Sequence, residues 1–157
     1  MATMSPTIAR ILVPTDYSAT ADHALSWAVL HGRTFAAEVV VLHVLPSHRH
    51  FGALGYADRS EAGDLTKDRE HLAAHVAAHL GDSGVAVRTL VEVGEPPLKI
   101  REVAQRERVD LIIIGTHGAS RLEDLIFGSV TEKVVHHTGC PVLVVPPRSE
   151  AEAEAED

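Results

Sequence analysis

Cysteine is almost missing from this chain: Cys140 is the only one among its 157 residues. A single thiol cannot form an internal disulfide, and one chain cannot then build a zinc site from cysteines. Asparagine is missing altogether, which removes every acceptor for N-glycosylation. Both absences favour a reducing compartment, and we expect the protein to be cytoplasmic.

Long apolar runs and an excess of basic residues are missing as well. No stretch approaches the ~20 apolar residues of a membrane span, and residues 1–8 hold no signal-peptide core. The formal net charge is −8, and five of the 22 acidic residues lie in a Glu/Ala tail. Without a basic stripe the chain lacks the charge that neutralises phosphate backbones. We therefore predict that neither a membrane nor a nucleic acid is a partner.

The sequence does contain short runs rich in β-branched residues. Four of them are mostly apolar, which is typical of strands buried on both faces of a parallel sheet. A fifth, over residues 85–93, alternates between apolar and polar positions and is expected at a sheet edge. The four apolar runs are residues 8–13, 39–45 and 111–114, together with Val142–Val145.

Helical segments with recognisable ends separate these runs. Ser18 is a candidate N-cap for a helix that extends to about Gly32, and Pro96 suits a first helical turn. Ser129, followed three residues later by Glu132, predicts a capping box at the start of the last helix. Another helix is indicated by an apolar stripe that ends near Gly81, formed by Leu65, Leu72, Val76 and Leu80.

This alternation predicts one α/β domain over residues 1–147. We expect an open parallel sheet of five strands, right-handed crossovers and helices on both faces. Residues 148–157 are interpreted as a disordered acidic tail. The connection over residues 46–63 is long and irregular, which fits either a functional loop or a mobile one. These patterns leave the strand order open.

The end of the first strand carries a polar group of interest. Pro14 and Thr15 lead to Asp16, whose carboxylate would lie at the rim of the sheet, where α/β proteins bind ligands. Such a carboxylate can accept hydrogen bonds from ribose hydroxyls. An Asp16 that only caps a turn is an equally good interpretation.

The end of the fourth strand is rich in glycine. Gly115 and Gly118 follow the strand, and Gly128 with Ser129 opens the next helix. Glycine lets a backbone approach an anion closely, while a helix start offers free N–H groups and a positive dipole end. The loop therefore suits phosphate binding. The alternative is that the glycines form turns and Ser129 is a structural cap.

The spacing of these residues resembles the nucleotide-binding branch of the universal stress proteins. That branch carries glycine, two residues, glycine, nine residues, glycine and then serine or threonine, which Gly115, Gly118, Gly128 and Ser129 match. Residues 11–16, 42–44, 109–115 and 139–145 also look like the family. The resemblance extends over roughly residues 8–146.

The resemblance implies a Rossmann-like sheet, similar to that of adenine nucleotide alpha hydrolases, in the order 3-2-1-4-5. Pro14 and Val44 would then line an adenine pocket, and Asp16 with Gly115 would hold the ribose. The glycine loop and the start of the last helix would bind the phosphates. The implied cofactor-binding residues are Pro14, Thr15, Asp16, Val44, Ile114, Gly115, Gly118, Gly128, Ser129 and Val130.

The resemblance also implies a homodimer that pairs through Val142–Val145. The implied function is to bind ATP with Mg²⁺ and to use occupancy as a signal in the stress response, read by a protein partner that the sequence does not identify. The chain lacks the lysine motif of P-loop enzymes, which weighs against efficient phosphoryl transfer, and we assign no catalytic residue. Two alternatives stay open: a nucleotide-free interaction scaffold, and a slow ATPase or phosphotransferase with Thr116, His117 or Ser129 near the terminal phosphate.

The histidines are numerous, 11 in all, and three of them stand four residues apart. His71, His75 and His79 share one side of a predicted helix, and two such residues can chelate a metal. No cysteine or nearby acidic residue completes a tetrahedral set of ligands. We interpret the three as an exposed polar flank and predict no metal site.

Overall fold

The computed structural model describes residues 6–47, 64–117 and 127–149. Strands and helices alternate along these residues, which confirms the predicted β-α-β pattern. The predicted acidic tail after Ser149, and residues 48–63 of the long connection, lie outside the described residues. The elements are β1 (Arg10–Pro14), α1 (Ala19–Phe35), β2 (Glu38–Pro46), α2 (Thr66–Leu80), β3 (Val87–Gly94), α3 (Pro96–Arg106), β4 (Leu111–Gly115), α4 (Ser129–His137) and β5 (Val142–Val145).

The five strands form one parallel sheet in the order β3-β2-β1-β4-β5. This is the order that the resemblance implied, and it places the half-polar strand β3 at an edge, as its alternating pattern predicted. The chain builds outward from β1 to β2 and β3, then returns to the other side of β1 for β4. The two crossovers that leave from β1 and β4 therefore diverge, which opens a crevice at the carboxyl edge between them.

Helices cover both faces of this sheet, so the central strands are buried on both sides. On one face α1 and α2 pack against side chains such as Ile11, Val41 and Ile113. On the other face α3 and α4 pack against the alternate residues, among them Leu12 and Ile112. Among the described residues, no helix has both the length and the apolar character that crossing a membrane requires.

The first helix begins where the sequence predicts it but ends later. The Ser18 hydroxyl accepts a hydrogen bond from the Ala21 amide at 3.2 Å, which is the predicted N-cap. The helix continues beyond Gly32 to Phe35 and ends at Ala36 in the left-handed conformation. Gly32 therefore does not end the helix. A Cβ atom there would lie 2.8 Å from the Val85 side chain, so glycine allows the helix to pack closely against its neighbours.

A chain of ion pairs links the strands near their amino ends. Glu38 accepts hydrogen bonds from the Nε atoms of Arg10 at 2.7 Å and Arg88 at 3.1 Å. Arg88 also donates from Nη2 to Glu107 at 2.7 Å. The hydrogen bond from Arg88, supported by the one from Arg10, lowers the pKa of Glu38, and Arg88 lowers the pKa of Glu107 in the same way. The network lies at the amino ends of the strands, and the crevice lies at their carboxyl ends.

We expect Glu38→Gln to weaken the dependence of stability on acidic pH. The pKa of Glu38 is lower in the folded protein than in the unfolded chain, so its contribution is complete above about pH 4.3. That contribution is lost as the pH falls through the folded pKa. Because glutamine does not titrate, the variant should be less stable than wild type at neutral pH but should lose less stability between about pH 5 and pH 3.

Urea unfolding at several pH values measures this difference. Glu102→Gln is the matched control, because its pair with Lys99 lies at 2.9 Å on an exposed helix surface and should contribute little. An equal loss of stability in acid for wild type and Glu38→Gln would contradict the role assigned to the network.

Candidate functional site

A cavity of about 360 Å³ occupies the crevice at the carboxyl edge of the sheet. This volume lies in the range of sites that bind small molecules. The ends of β1, β2 and β4 form its floor, and the starts of α1, α3 and α4 form its walls. The lining residues are Pro14, Thr15, Asp16, Ala21, Leu42, Val44, Pro96, Ile100, Ile114, Gly115, His117, Gly128, Ser129, Val130 and Thr131.

The structure brings nine of the ten sequence-predicted site residues to this one cavity. They come from four separate segments of the chain, so only the fold makes them neighbours. The tenth, Gly118, lies outside the described residues. What these nine residues bind stays a prediction at this point.

At the end of β1, Asp16 is exposed at the rim of the cavity. Its Oδ1 atom accepts a hydrogen bond from the Ser18 amide at 3.0 Å, which is the turn-capping contact considered from the sequence. The preceding residue is anchored, because the Thr15 amide donates to the Leu42 carbonyl at 2.8 Å. The turn therefore fixes the position of the carboxylate, and capping and ligand contact are compatible at this residue.

Strand β2 extends beyond β1, and this leaves backbone groups facing the cavity. The last β1–β2 pair joins Pro14 with Leu42, and the Leu42 carbonyl points toward β1, where it accepts the Thr15 amide. In a parallel ladder, residues of the same parity direct their N–H and C=O groups to the same side. Val44 therefore directs both groups to the side where β1 has already ended. A planar ligand that has one donor and one acceptor along an edge can form hydrogen bonds with the Val44 N–H and C=O groups.

Helix α4 begins at the cavity, but not with the predicted capping box. Gly128 is the N-cap residue, Ser129 is the first helical residue, and no side-chain hydrogen bond caps the helix. The Glu132 amide bonds instead to the Gly128 carbonyl at 3.0 Å. The helix thus starts one residue earlier than a Ser129 cap requires. The amides of Ser129, Val130 and Thr131 precede the first intrahelical bond, and these three residues line the cavity.

The two described glycines of the motif differ in what the structure requires of them. A Cβ atom on Gly115 would lie 2.8 Å from the Thr20 side chain and 3.2 Å from the Thr20 backbone, so α1 could not pack as it does. Gly128 has φ −67° and ψ 160°, an extended conformation open to any residue. The backbone conformation therefore gives no reason for glycine at 128, which is consistent with a need for space above it.

The wall formed by α3 was missed from the sequence. Pro96 and Ile100 face the cavity from the first turns of this helix. Because Pro96 has no N–H group, this helix start offers apolar surface rather than a full set of amides. The strand order was the signal needed to find it, since β3 ends beside β2 at the same edge of the sheet.

Charged groups are few in the described lining of the cavity. It contains neither lysine nor arginine, and its titratable side chains are Asp16 and His117. His117 Nδ1 lies 3.1 Å from the Thr116 hydroxyl. Among these residues, a bound anion would meet helix amides rather than a side-chain cation.

A second polar cluster lies on the sheet face that carries α1 and α2. Its centre is Tyr17, a residue with φ 65°, whose ring packs against His43, His71 and His75 at centroid distances of 4.5, 4.8 and 4.9 Å. Burial, with a contribution from the nearby Asp68 carboxylate, raises the pKa of Tyr17. The Tyr17 hydroxyl is buried, and among the described residues no hydrogen-bond partner reaches it.

The predicted exposed flank of histidines is therefore wrong for part of this cluster. His75 is largely buried, and it lies 2.8 Å from Asp22 of helix α1. His79 lies 3.1 Å from the other oxygen of the same carboxylate. An acidic residue does stand near the histidines, and sequence spacing alone could not reveal it because it belongs to another helix.

Known proteins resemble this chain in both sequence and fold. The model of the universal stress protein family matches residues 7–146. Universal stress protein MJ0577 of Methanocaldococcus jannaschii is 33% identical over 90% of this chain and 97% of that protein. The solved structure of MJ0577 aligns with a TM-score of 0.77, over 92% of this chain and 99% of that chain.

Two further solved structures resemble the fold at lower sequence identity. One is a universal stress protein in complex with cAMP, 20% identical, with a TM-score of 0.70 over 90% of this chain and 99% of that one. The other is the universal stress protein from Archaeoglobus fulgidus in complex with dAMP, 22% identical, with a TM-score of 0.64 and the same coverage. At these identities the likeness concerns the fold.

We expect Gly115→Ala to destabilise the protein without any ligand present. The added methyl group meets the Thr20 backbone, which cannot move without shifting α1, so the free energy of unfolding should fall by roughly 1–3 kcal/mol. Gly139→Ala is the matched control, because a Cβ atom there meets nothing within 4 Å. Chemical denaturation of both variants measures the difference. Equal stability of the two variants would show that Gly115 is not constrained by packing.

Proposed function

We propose an adenine-nucleotide-binding function for this chain, which belongs to the universal stress protein family. The observation that carries the proposal is that nine of the ten sequence-predicted site residues line one cavity, at the point where the strand order reverses. The ligand that we propose is ATP, bound with Mg²⁺.

Three parts of the cavity match the three parts of a nucleotide. The backbone groups of Val44, together with the apolar surface of Pro14 and Ile100, suit the edge and faces of an adenine base. The Asp16 carboxylate at the rim suits ribose hydroxyls. The start of α4, where Gly128 and Ser129 line the cavity, suits phosphate oxygens.

The solved complexes of other family members support this proposal in a limited way. A universal stress protein has been solved with cAMP and another with dAMP, so this fold accommodates adenine nucleotides. Both of these ligands are monophosphates. The choice of a triphosphate for this chain depends on its own glycine motif, of which Gly115 and Gly128 line the cavity at the end of β4 and at the start of α4.

Occupancy, rather than turnover, is the output that we propose for this site. The described lining holds no lysine or arginine that could stabilise a departing phosphate, and the helix amides suit steady binding. Mg²⁺ fits this setting because it binds phosphate and water oxygens in preference to a full cage of protein ligands. We further propose that nucleotide occupancy is read by a protein partner in the cytoplasm during stress.

Calorimetric titration of nucleotide-free protein with Mg-ATP tests the binding proposal. Wild type should bind one nucleotide per chain, and Gly128→Val should lose most of the affinity because its side chain fills the space beside the α4 amides. The extended backbone at residue 128 accepts valine, so the variant should keep its fold. Gly139→Val, at the other end of α4, is the matched control and should bind like wild type.

The same titration can overturn the proposal. If wild type binds no adenine nucleotide, the cavity is not a nucleotide site and the scaffold interpretation gains support. If Gly128→Val binds as tightly as wild type, the nucleotide does not bind at the start of α4 and the proposed site is wrong. Repeating the titration with ADP, AMP and cAMP defines the preferred phosphate chain. Single-turnover incubation with Mg-ATP separates occupancy from slow hydrolysis, because a binding module should return the ATP intact.

We also propose that the protein is a homodimer that pairs through β5. This strand is an edge of the sheet, its residues are all valine or leucine, and three of the four are only partly buried. Pro141 and Val145 direct their carbonyls to β4, so by parity Val142 and Val144 direct their backbone groups outward. An antiparallel strand from a second copy would satisfy these groups and cover the apolar edge.

Val144→Pro tests the dimer, because it removes one outward-facing amide and leaves the amides that bond to β4. We expect wild type to be dimeric by light scattering and the variant to be mostly monomeric. Thr89→Pro is the matched control, since it removes an outward-facing amide from β3 at the opposite edge. A monomeric wild type, or a dimer that survives Val144→Pro but not Thr89→Pro, would contradict the proposed interface.

A further inference from the structure

We propose that Asp22, His75 and His79 form a binding site for one divalent transition-metal ion of the zinc type. The site is separate from the nucleotide cavity and does not depend on the function proposed for it. Each of the three residues offers one ligand atom, and these atoms all lie within 4.8 Å of one another. Within the described part of the chain, no other group of three such side chains meets this condition.

The fold explains how the three residues meet. His75 and His79 stand one helical turn apart on α2, so their rings project from the same side and lie 4.3 Å apart between centroids. Asp22 lies in the first turn of α1, on the same face of the sheet. Packing of α1 and α2 on that face brings the carboxylate into contact with both imidazoles.

The distances between the Asp22 oxygens and the histidine nitrogens are close to the distances between neighbouring ligand atoms in a metal site. Asp22 Oδ1 lies 2.8 Å from His75 Nε2, and Oδ2 lies 3.1 Å from His79 Nε2. In a tetrahedral zinc site with bonds of about 2.0–2.1 Å, ligand atoms stand about 3.3 Å apart. All three ligand atoms lie within 4.8 Å of one another, so side-chain rotations that change their separations by no more than about 1.5 Å convert the cluster into a coordination sphere.

The orientation of His79 supports ligation more directly than distance does. Its Nδ1 atom lies 2.9 Å from the His75 carbonyl, and a carbonyl can only accept, so Nδ1 carries the proton. In the neutral ring, Nε2 then directs its lone pair at the Asp22 carboxylate. That arrangement is repulsive unless a proton or a cation lies between them. A histidine that donates from one nitrogen to a carbonyl and faces a carboxylate with the other is oriented like a metal ligand.

The side chains around the cluster hold it in place and leave one side open. The His75 ring packs edge-on against Tyr17, so its position is restricted. Side-chain exposure is 16% for His75, 23% for Asp22 and 39% for His79. Three protein ligands and an accessible side provide the coordination of an open site, with water as the fourth ligand. Two imidazoles and a carboxylate suit Zn²⁺, Cu²⁺, Ni²⁺ or Co²⁺ better than Mg²⁺ or Ca²⁺.

Competition for Zn²⁺ against a chromophoric chelator tests the proposal with metal-stripped, full-length protein. Wild type should take up one Zn²⁺ per chain with an affinity at least about tenfold higher than Asp22→Asn or His79→Gln. Asparagine keeps the size of Asp22 and much of its hydrogen bonding, so Asp22→Asn should remain folded. Circular dichroism checks the fold of each variant.

His31→Gln is the matched control. His31 makes the same kind of bond to a carbonyl four residues earlier, from Nδ1 to Trp27 at 2.7 Å, but it belongs to no such cluster among the described residues. Its substitution should leave Zn²⁺ affinity unchanged. Addition of Co²⁺ gives a second measurement, because wild type should show a visible d–d spectrum that Asp22→Asn loses.

Two results would overturn the proposal. If wild type fails to compete with the chelator, the cluster is an ion pair and nothing more. If Asp22→Asn and His79→Gln bind Zn²⁺ as tightly as wild type, the metal goes to other histidines of the chain. Neither result bears on nucleotide binding, which the Gly128→Val titration tests independently.

Discussion

Burial of β1 on both faces and on both edges is the constraint from which the rest of the structure follows. Ile11, Leu12 and Val13 are fully buried, and β2 and β4 flank the strand. A parallel strand in this position needs helices above and below it and neighbours to both sides. The chain can satisfy that need only by reversing the direction in which it adds strands. The crevice at the carboxyl edge is the geometric result of that reversal.

The amino and carboxyl ends of the strands differ in chemical character. At the amino ends of the strands, Arg88 and two glutamates form a network of charged hydrogen bonds. At the carboxyl ends, the described lining of the cavity holds few charges and many main-chain groups. The charged network and the candidate site thus lie at opposite ends of the strands.

Much of the fold could be predicted from the sequence because its signals are local. The apolar runs become strands since each must be buried on both faces, and the Ser18 hydroxyl caps α1 because a helix start needs an acceptor there. The strand order is not a local property, and only the family resemblance supplied it. The predicted capping box at Ser129 was wrong because the sequence does not distinguish a serine at the N-cap from a serine at the first helical position.

The candidate site was partly predictable and the histidine cluster was not. Asp16 and Gly115 lie at strand ends, and Gly128 lies at a helix start, positions that are recognisable from the sequence and that line the crevice. Asp22 and His75 are far apart in the sequence, and they meet only because α1 and α2 pack side by side. Periodicity reports which residues share a helix face, and it contains no information about which helix lies opposite.

The extension of β2 past the end of β1 has a consequence for how this protein can diverge. The groups at Val44 that face the cavity belong to the main chain, so every amino acid except proline would present the same donor and acceptor. Selection for base recognition at that point would act on the length of a strand rather than on a side chain. Two descendants of this chain could differ at residue 44 and still share the recognition edge, while a deletion of two residues in β2 would abolish it without altering the glycine motif.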